Sequence, residues 1–74
     1  MGAIFDGFCC IDSTRRFFGF IVFRQDEGEP VQLVCSMFCW PGTDEGRTQA
    51  RAQMVRVIDR LRAQCAQPSM RLYG

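Results

Sequence analysis

The chain is 74 residues long, of which 47% are hydrophobic and 23% are charged. This composition excludes a disordered or collagen-like chain, because it holds enough apolar side chains for one small core. The chain contains no histidine, so it lacks the commonest general base and metal ligand. The length favours a single domain over residues 1–74, and no uncharged apolar run reaches the roughly 18–20 residues of a membrane-spanning helix.

Charge is divided unequally along the chain. Residues 1–46 carry seven acids and three arginines, a net charge of −4, whereas residues 47–74 carry six arginines and one acid, a net charge of +5. An acidic half and a basic half favour electrostatic docking on a partner. At the N terminus, Asp6 and Asp12 interrupt the apolar residues, which is unlike a secretory signal. We therefore expect a cytoplasmic location and no contact with a membrane.

Three segments at the start of the chain predict β-strands, over about residues 3–11, 17–24 and 31–40. Each segment is rich in aromatic and β-branched residues, and polar stretches with turn-forming residues separate them. Since the connections are short, the simplest topology is an antiparallel meander.

After the third strand, the apolar period changes to that of an α-helix. The stripe consists of Ala50, Met54, Val57, Ile58, Leu61 and Cys65. It predicts a helix over about residues 44–66, with Thr43 or Asp44 as its N-cap. Gly46 is a poor interior residue, so regular helix is expected from nearer Arg47. The sequence leaves open whether Met70 to Tyr73 form a tail or a short fourth strand.

These elements predict an α+β fold, β-β-β-α, with one helix on one face of a three-stranded antiparallel sheet. Strict alternation places Val31, Leu33, Cys35, Met37 and Cys39 under the helix. It places Phe38 and Trp40 on the opposite face. Because a single helix covers one face of such a sheet, the other face should expose apolar residues and form an interface. The residues predicted for a dimer face are Phe8, Phe18, Phe20 and Val22.

The sequence offers little for catalysis or metal binding. Cys35 and Cys39 lie about 13 Å apart on a strand, too far to share an ion, and no histidine can activate a cysteine. The five cysteines are expected to be reduced and to pack as small apolar groups. We therefore expect no catalytic residues, no metal, no cofactor and no enzymatic activity.

Two sets of residues remain as candidates for binding. The first set combines acidic turns with an aromatic anchor and is predicted to bind a protein partner; it consists of Asp26, Glu27, Glu29, Asp44, Glu45, Phe38 and Trp40. The second set is a row of helix arginines that could contact nucleic acid or an acidic partner; it consists of Arg47, Arg51, Arg56 and Arg60.

The strand-strand-strand-helix order, with Trp40-Pro41-Gly42-Thr43 leading into the helix, resembles the truncated double-stranded-RNA-binding fold of HicB-type antitoxins. In its small size, simple α+β layout and lack of a catalytic constellation, the chain also resembles phage-encoded anti-CRISPR proteins. The second resemblance implies a protein in the cytoplasm of a bacterial host cell that occupies a nucleic-acid-binding or recruitment surface on a large complex.

Three hypotheses of function follow. The leading one is a non-enzymatic, phage-type inhibitor of a bacterial CRISPR-Cas complex that blocks its nucleic-acid contacts. The second is a nucleic-acid-associated module, or a HicB-like antitoxin, that uses the helix arginines. The third is a structural homodimer.

Overall fold

A computed structural model describes residues 2–65 of the chain. It contains three strands and one helix: β1 (Ile4–Ile11), β2 (Phe17–Gln25), β3 (Gln32–Pro41) and α1 (Asp44–Cys65). The strands form an antiparallel sheet in the order β1-β2-β3, and α1 follows β3. The predicted α+β layout is confirmed, and its boundaries differ from the observed ones by at most one residue. The candidate fourth strand lies outside the described residues.

The two hairpin turns lie at opposite ends of the sheet. In the β1–β2 turn, the Asp12 carboxylate accepts hydrogen bonds from the Thr14 hydroxyl at 2.8 Å and from the Arg16 and Phe17 N–H groups. In the β2–β3 turn, Gly28 has a φ of 76°, a left-handed conformation that glycine adopts without strain. The pairing of β2 with β3 runs from Phe17 opposite Pro41 at one end to Arg24 opposite Gln32 at the other.

The helix begins at Asp44, as the predicted range 44–66 has it, and not near Arg47, where Gly46 suggested that regular helix would start. Thr43 is the N-cap: its hydroxyl accepts the Gly46 N–H at 3.1 Å. Gly46 is buried, and a Cβ atom at this position would overlap the carbonyl oxygen of Pro41. The glycine is therefore required because the first turn of α1 packs directly against the end of β3.

The core lies between α1 and the central strand. Phe20 and Val22 of β2 are completely buried, and they pack with Phe5 of β1 and Ile58 of α1. The prediction that Phe20 and Val22 belong to an exposed dimer face is therefore wrong. Phe18 lies on the same covered side of β2 and is half-buried, so of the four predicted residues only Phe8 lies on the uncovered face. Both sides of β2 are apolar, so its sequence alone did not indicate which side the helix covers.

Two irregularities in β3 change which side its residues face. Phe18 pairs with Trp40 and Gly19 with Phe38, so Cys39 is an extra residue; Val34 is extra in the same way near the other end. Each bulge reverses the alternation beyond it. Trp40 therefore lies on the helix side and Leu33 on the opposite side, the reverse of what strict alternation predicted.

Candidate docking surface

The side of the sheet away from α1 is here called the open face. Its residues alternate along each strand with those that contact the helix, and within residues 2–65 no other element packs on it. The exposed fractions of Ile4, Phe8 and Leu33 are 66%, 56% and 61%. The open face consists of Ile4, Asp6, Phe8 and Cys10 of β1, Phe17, Gly19, Ile21, Phe23 and Gln25 of β2, and Leu33, Ser36, Phe38 and Pro41 of β3.

A shallow concavity of about 340 Å³ lies at the end of the open face near the β2–β3 turn. Apolar side chains dominate its walls, and the rings of Phe8 and Phe23 pack edge to face with their centroids 6.0 Å apart. Ile4 and Val31 add exposed aliphatic surface. This concavity could accept an apolar side chain of a partner, which is how protein interfaces commonly anchor.

The acidic β2–β3 turn adjoins this concavity. A second hollow, of about 280 Å³, is shared by Ile4 of the open face and by Asp26 and Glu27 of the turn. Arg24 forms an ion pair with Asp26, with Nη2 3.1 Å from Oδ1. Within residues 2–65, Glu27 and Glu29 form no ion pair and are exposed. The turn that adjoins the apolar concavity therefore carries two unneutralised carboxylates, of which Glu27 lines the hollow shared with Ile4.

The other two predicted acids lie elsewhere. Asp44 and Glu45 are in the first turn of α1, which follows the Pro41 end of β3. The β2–β3 turn lies at the opposite end of that strand, about 23 Å away if the seven steps along its partner residues Phe17–Arg24 are counted at 3.3 Å each. The five acids therefore do not form one surface. Asp44 and Glu45 lie at the N terminus of α1, where their negative charges stabilise the helix by interacting with its dipole.

The two predicted aromatic anchors also separate. Trp40 is half-buried on the helix side, where its ring lies 5.8 Å from that of Phe20. It supports the core and is not on the open face. Phe38 is on the open face, but its ring covers Gly19, where an added Cβ atom would come within 2.5 Å of the ring. Phe38 is therefore a half-buried part of the face, next to the more exposed Phe8.

The four predicted arginines are all exposed on α1, but they divide into two pairs. Arg47 and Arg51 line a hollow of about 270 Å³ beside the β1 residues Gly7, Phe8 and Cys9. Helix geometry turns Arg56 and Arg60 away from the sheet. Of these four arginines, Arg47 and Arg51 are therefore the pair that lies next to β1.

The described residues include all five cysteines of the chain. All five cysteines are free, and Cys39 is exposed while the other four are half-buried. Within residues 2–65, no three potential metal ligands lie close enough together to hold an ion. In the same range, the helix lacks the apolar length that crossing a bilayer requires.

Sequence reasoning missed Ile4, Phe23, Val31 and Leu33 as candidate surface residues. The available signal was the alternation in β1, where Ile4, Asp6 and Phe8 share one side.

Comparison of the chain with protein-family models, with curated proteins and with solved structures finds no match.

Proposed function

We propose that this protein is a non-enzymatic binding protein, a phage-type inhibitor that occupies the nucleic-acid-binding surface of a CRISPR-Cas complex. The observation that supports this proposal is the junction of the apolar concavity with the acidic β2–β3 turn, whose Glu27 lines the adjoining hollow. A surface that binds nucleic acid is rich in arginine and lysine. Carboxylates beside an apolar anchor complement such a surface.

Each part of the junction has its own role in this proposal. The concavity around Phe8 and Phe23 supplies buried apolar area, at about 25 cal/mol per Å². Glu27 and Glu29 attract basic side chains and raise the rate of association. Asp26 is already paired with Arg24, so it contributes less net charge. Asp44, Glu45 and Trp40 do not belong to this docking surface.

The experiment measures phage plating on bacteria that carry CRISPR immunity, across several system types, with and without the protein. We expect the wild-type chain to restore plating in one type. Glu27→Arg and Glu29→Arg should weaken this effect, as should Phe8→Ala. The matched control is Asp59→Arg, which makes the same charge change on α1 away from the docking surface.

If the wild-type chain restores plating in none of the system types tested, the proposed inhibition is contradicted. Equal activity of Glu27→Arg, Glu29→Arg and the wild-type chain would also contradict it, because the acidic turn would then play no part in binding.

A second candidate function is nucleic-acid binding through α1. It is favoured by Arg47 and Arg51, which lie side by side along β1 with no ion-pair partner within residues 2–65. This function predicts that the chain itself shifts DNA or RNA in a gel, with an affinity that falls steeply between low and high salt. The proposed inhibitor function predicts no shift at low salt, so one gel separates the two.

A further inference from the structure

The two edges of the sheet differ in how their backbone groups are satisfied. On the β1 edge, Arg62 Nη2 donates to the Phe5 carbonyl oxygen at 3.4 Å, and the Gly7 N–H donates to the Asp6 carboxylate at 3.0 Å. The Cys9 thiol also contacts the Arg47 carbonyl oxygen at 3.7 Å. Charged side chains and the helix therefore protect this edge, as is common for exposed edge strands.

The β3 edge has no such protection. Within residues 2–65, no side chain forms a hydrogen bond with any residue of β3. Residues 31–42 contain no charged side chain. Leu33, Val34 and Met37 are exposed apolar residues on this strand. The bulges at Val34 and Cys39 interrupt this edge, but the uncharged stretch between them is a template for pairing with another strand.

The regular part of β3 defines where a second strand can add. The bulges at Val34 and Cys39 enclose Cys35–Phe38, which pair with β2 without interruption. In a twofold-symmetric antiparallel pair of identical strands, opposite residues share a face, so one residue lies opposite its own copy and the axis runs midway between the two. Centring the pair on exposed Ser36 places Cys35 opposite Met37 of the second copy, both on the helix side.

We propose that β3 pairs antiparallel with β3 of a second copy of this chain, centred on Ser36. The pairing joins the two sheets into one of six strands. A second copy fits because the strand is uncharged, so identical edges meet without the repulsion that like charges would cause. It also fits because the apolar Cys35–Met37 contact then forms twice by symmetry. The open faces stay accessible, so this inference does not depend on the proposed function.

The test uses opposite charges at the centre of the pair. Ser36→Lys places two lysines opposite each other, and Ser36→Glu places two glutamates opposite each other. Each variant alone should dimerise at least about tenfold more weakly than the wild type, since like charges in contact across an interface are unfavourable. An equal mixture of the two should restore the dimer, because a lysine then faces a glutamate.

Sedimentation equilibrium at high micromolar concentration measures the masses, and circular dichroism shows that each variant is folded. The control is Val55→Lys, which adds the same charge at an exposed apolar residue of α1 and should leave the dimer unchanged. A wild-type chain that stays monomeric overturns the inference. So does a dimer that Ser36→Lys leaves intact, or variants whose mixture does not recover.

Discussion

At the scale of single residues, Asp12 shows how a turn depends on one carboxylate. Its side chain accepts hydrogen bonds from the Thr14 hydroxyl and from the N–H groups of Arg16 and Phe17. Desolvation opposes the charged form of this group, but the hydrogen bonds outweigh it and hold the pKa of Asp12 below its ordinary value of 3.8. The charged carboxylate therefore stabilises the β1–β2 turn.

This lowered pKa predicts an acid-dependent loss of stability. Because the folded-state pKa lies below the unfolded one, the contribution of Asp12 is complete above about pH 4 and is lost as pH falls through the folded-state pKa. As the pH is lowered below 4, the free energy of unfolding of Asp12→Asn should therefore fall less than that of the wild type. Urea unfolding followed by Trp40 fluorescence measures this. Asp59→Asn is the control, and parallel curves for Asp12→Asn and wild type would contradict the prediction.

At the scale of elements, the contact between α1 and β3 depends on a residue that is unfavourable for a helix. Gly46 costs the helix about 1 kcal/mol relative to alanine. The buried position of Gly46 against the Pro41 carbonyl group explains its presence. The sequence identified the glycine as unusual, but it could not show that the end of β3 lies directly beneath it.

The same contact predicts the effect of Gly46→Ala. An added methyl group would overlap the Pro41 carbonyl oxygen, so the helix start must shift away from β3. We expect a net destabilisation of about 1–3 kcal/mol, although alanine favours the helix itself. Thermal unfolding measures it, with Gln49→Ala at an exposed position of the same helix as the control. An increase in stability would show that the helix start is not packed as described.

At the scale of the whole molecule, one sheet separates a covered side from an uncovered side. Phe20 is completely buried beneath α1, whereas 56% of Phe8 is exposed on the open face. Charge is divided between the two layers in a related way. The helix α1 carries five arginines and three acids, a net charge of +2, whereas residues 2–43 carry three arginines and five acids, a net charge of −2. The proposed docking surface, with its acidic turn, and the arginines of α1 therefore belong to different layers.

The two sides predict different costs for the same substitution. Phe20→Ala should destabilise the protein by about 3–5 kcal/mol, because it leaves a cavity in the core. Phe8→Ala should cost about 1 kcal/mol, mainly the edge-to-face contact with Phe23. Urea unfolding of both variants measures the difference. Equal costs would mean that the open face is covered in the folded protein.

The kinds of elements, their order and nearly all of their boundaries could be predicted from the sequence. They depend on local signals: the strand-forming residues around Phe17–Phe23, the change of period after Gly42, and the capping residue Thr43. Such signals act over a few residues, so an isolated sequence displays them.

Only the tertiary structure decided which residues face the helix and which acids lie together. Both sides of β2 are apolar, so burial of Phe20 and Val22 depends on where α1 packs. The bulges at Val34 and Cys39 reverse the side on which Leu33 and Trp40 lie, and they arise from pairing with β2. Glu27 and Asp44 are separated by the length of β3, a distance that depends on the strand being extended and paired.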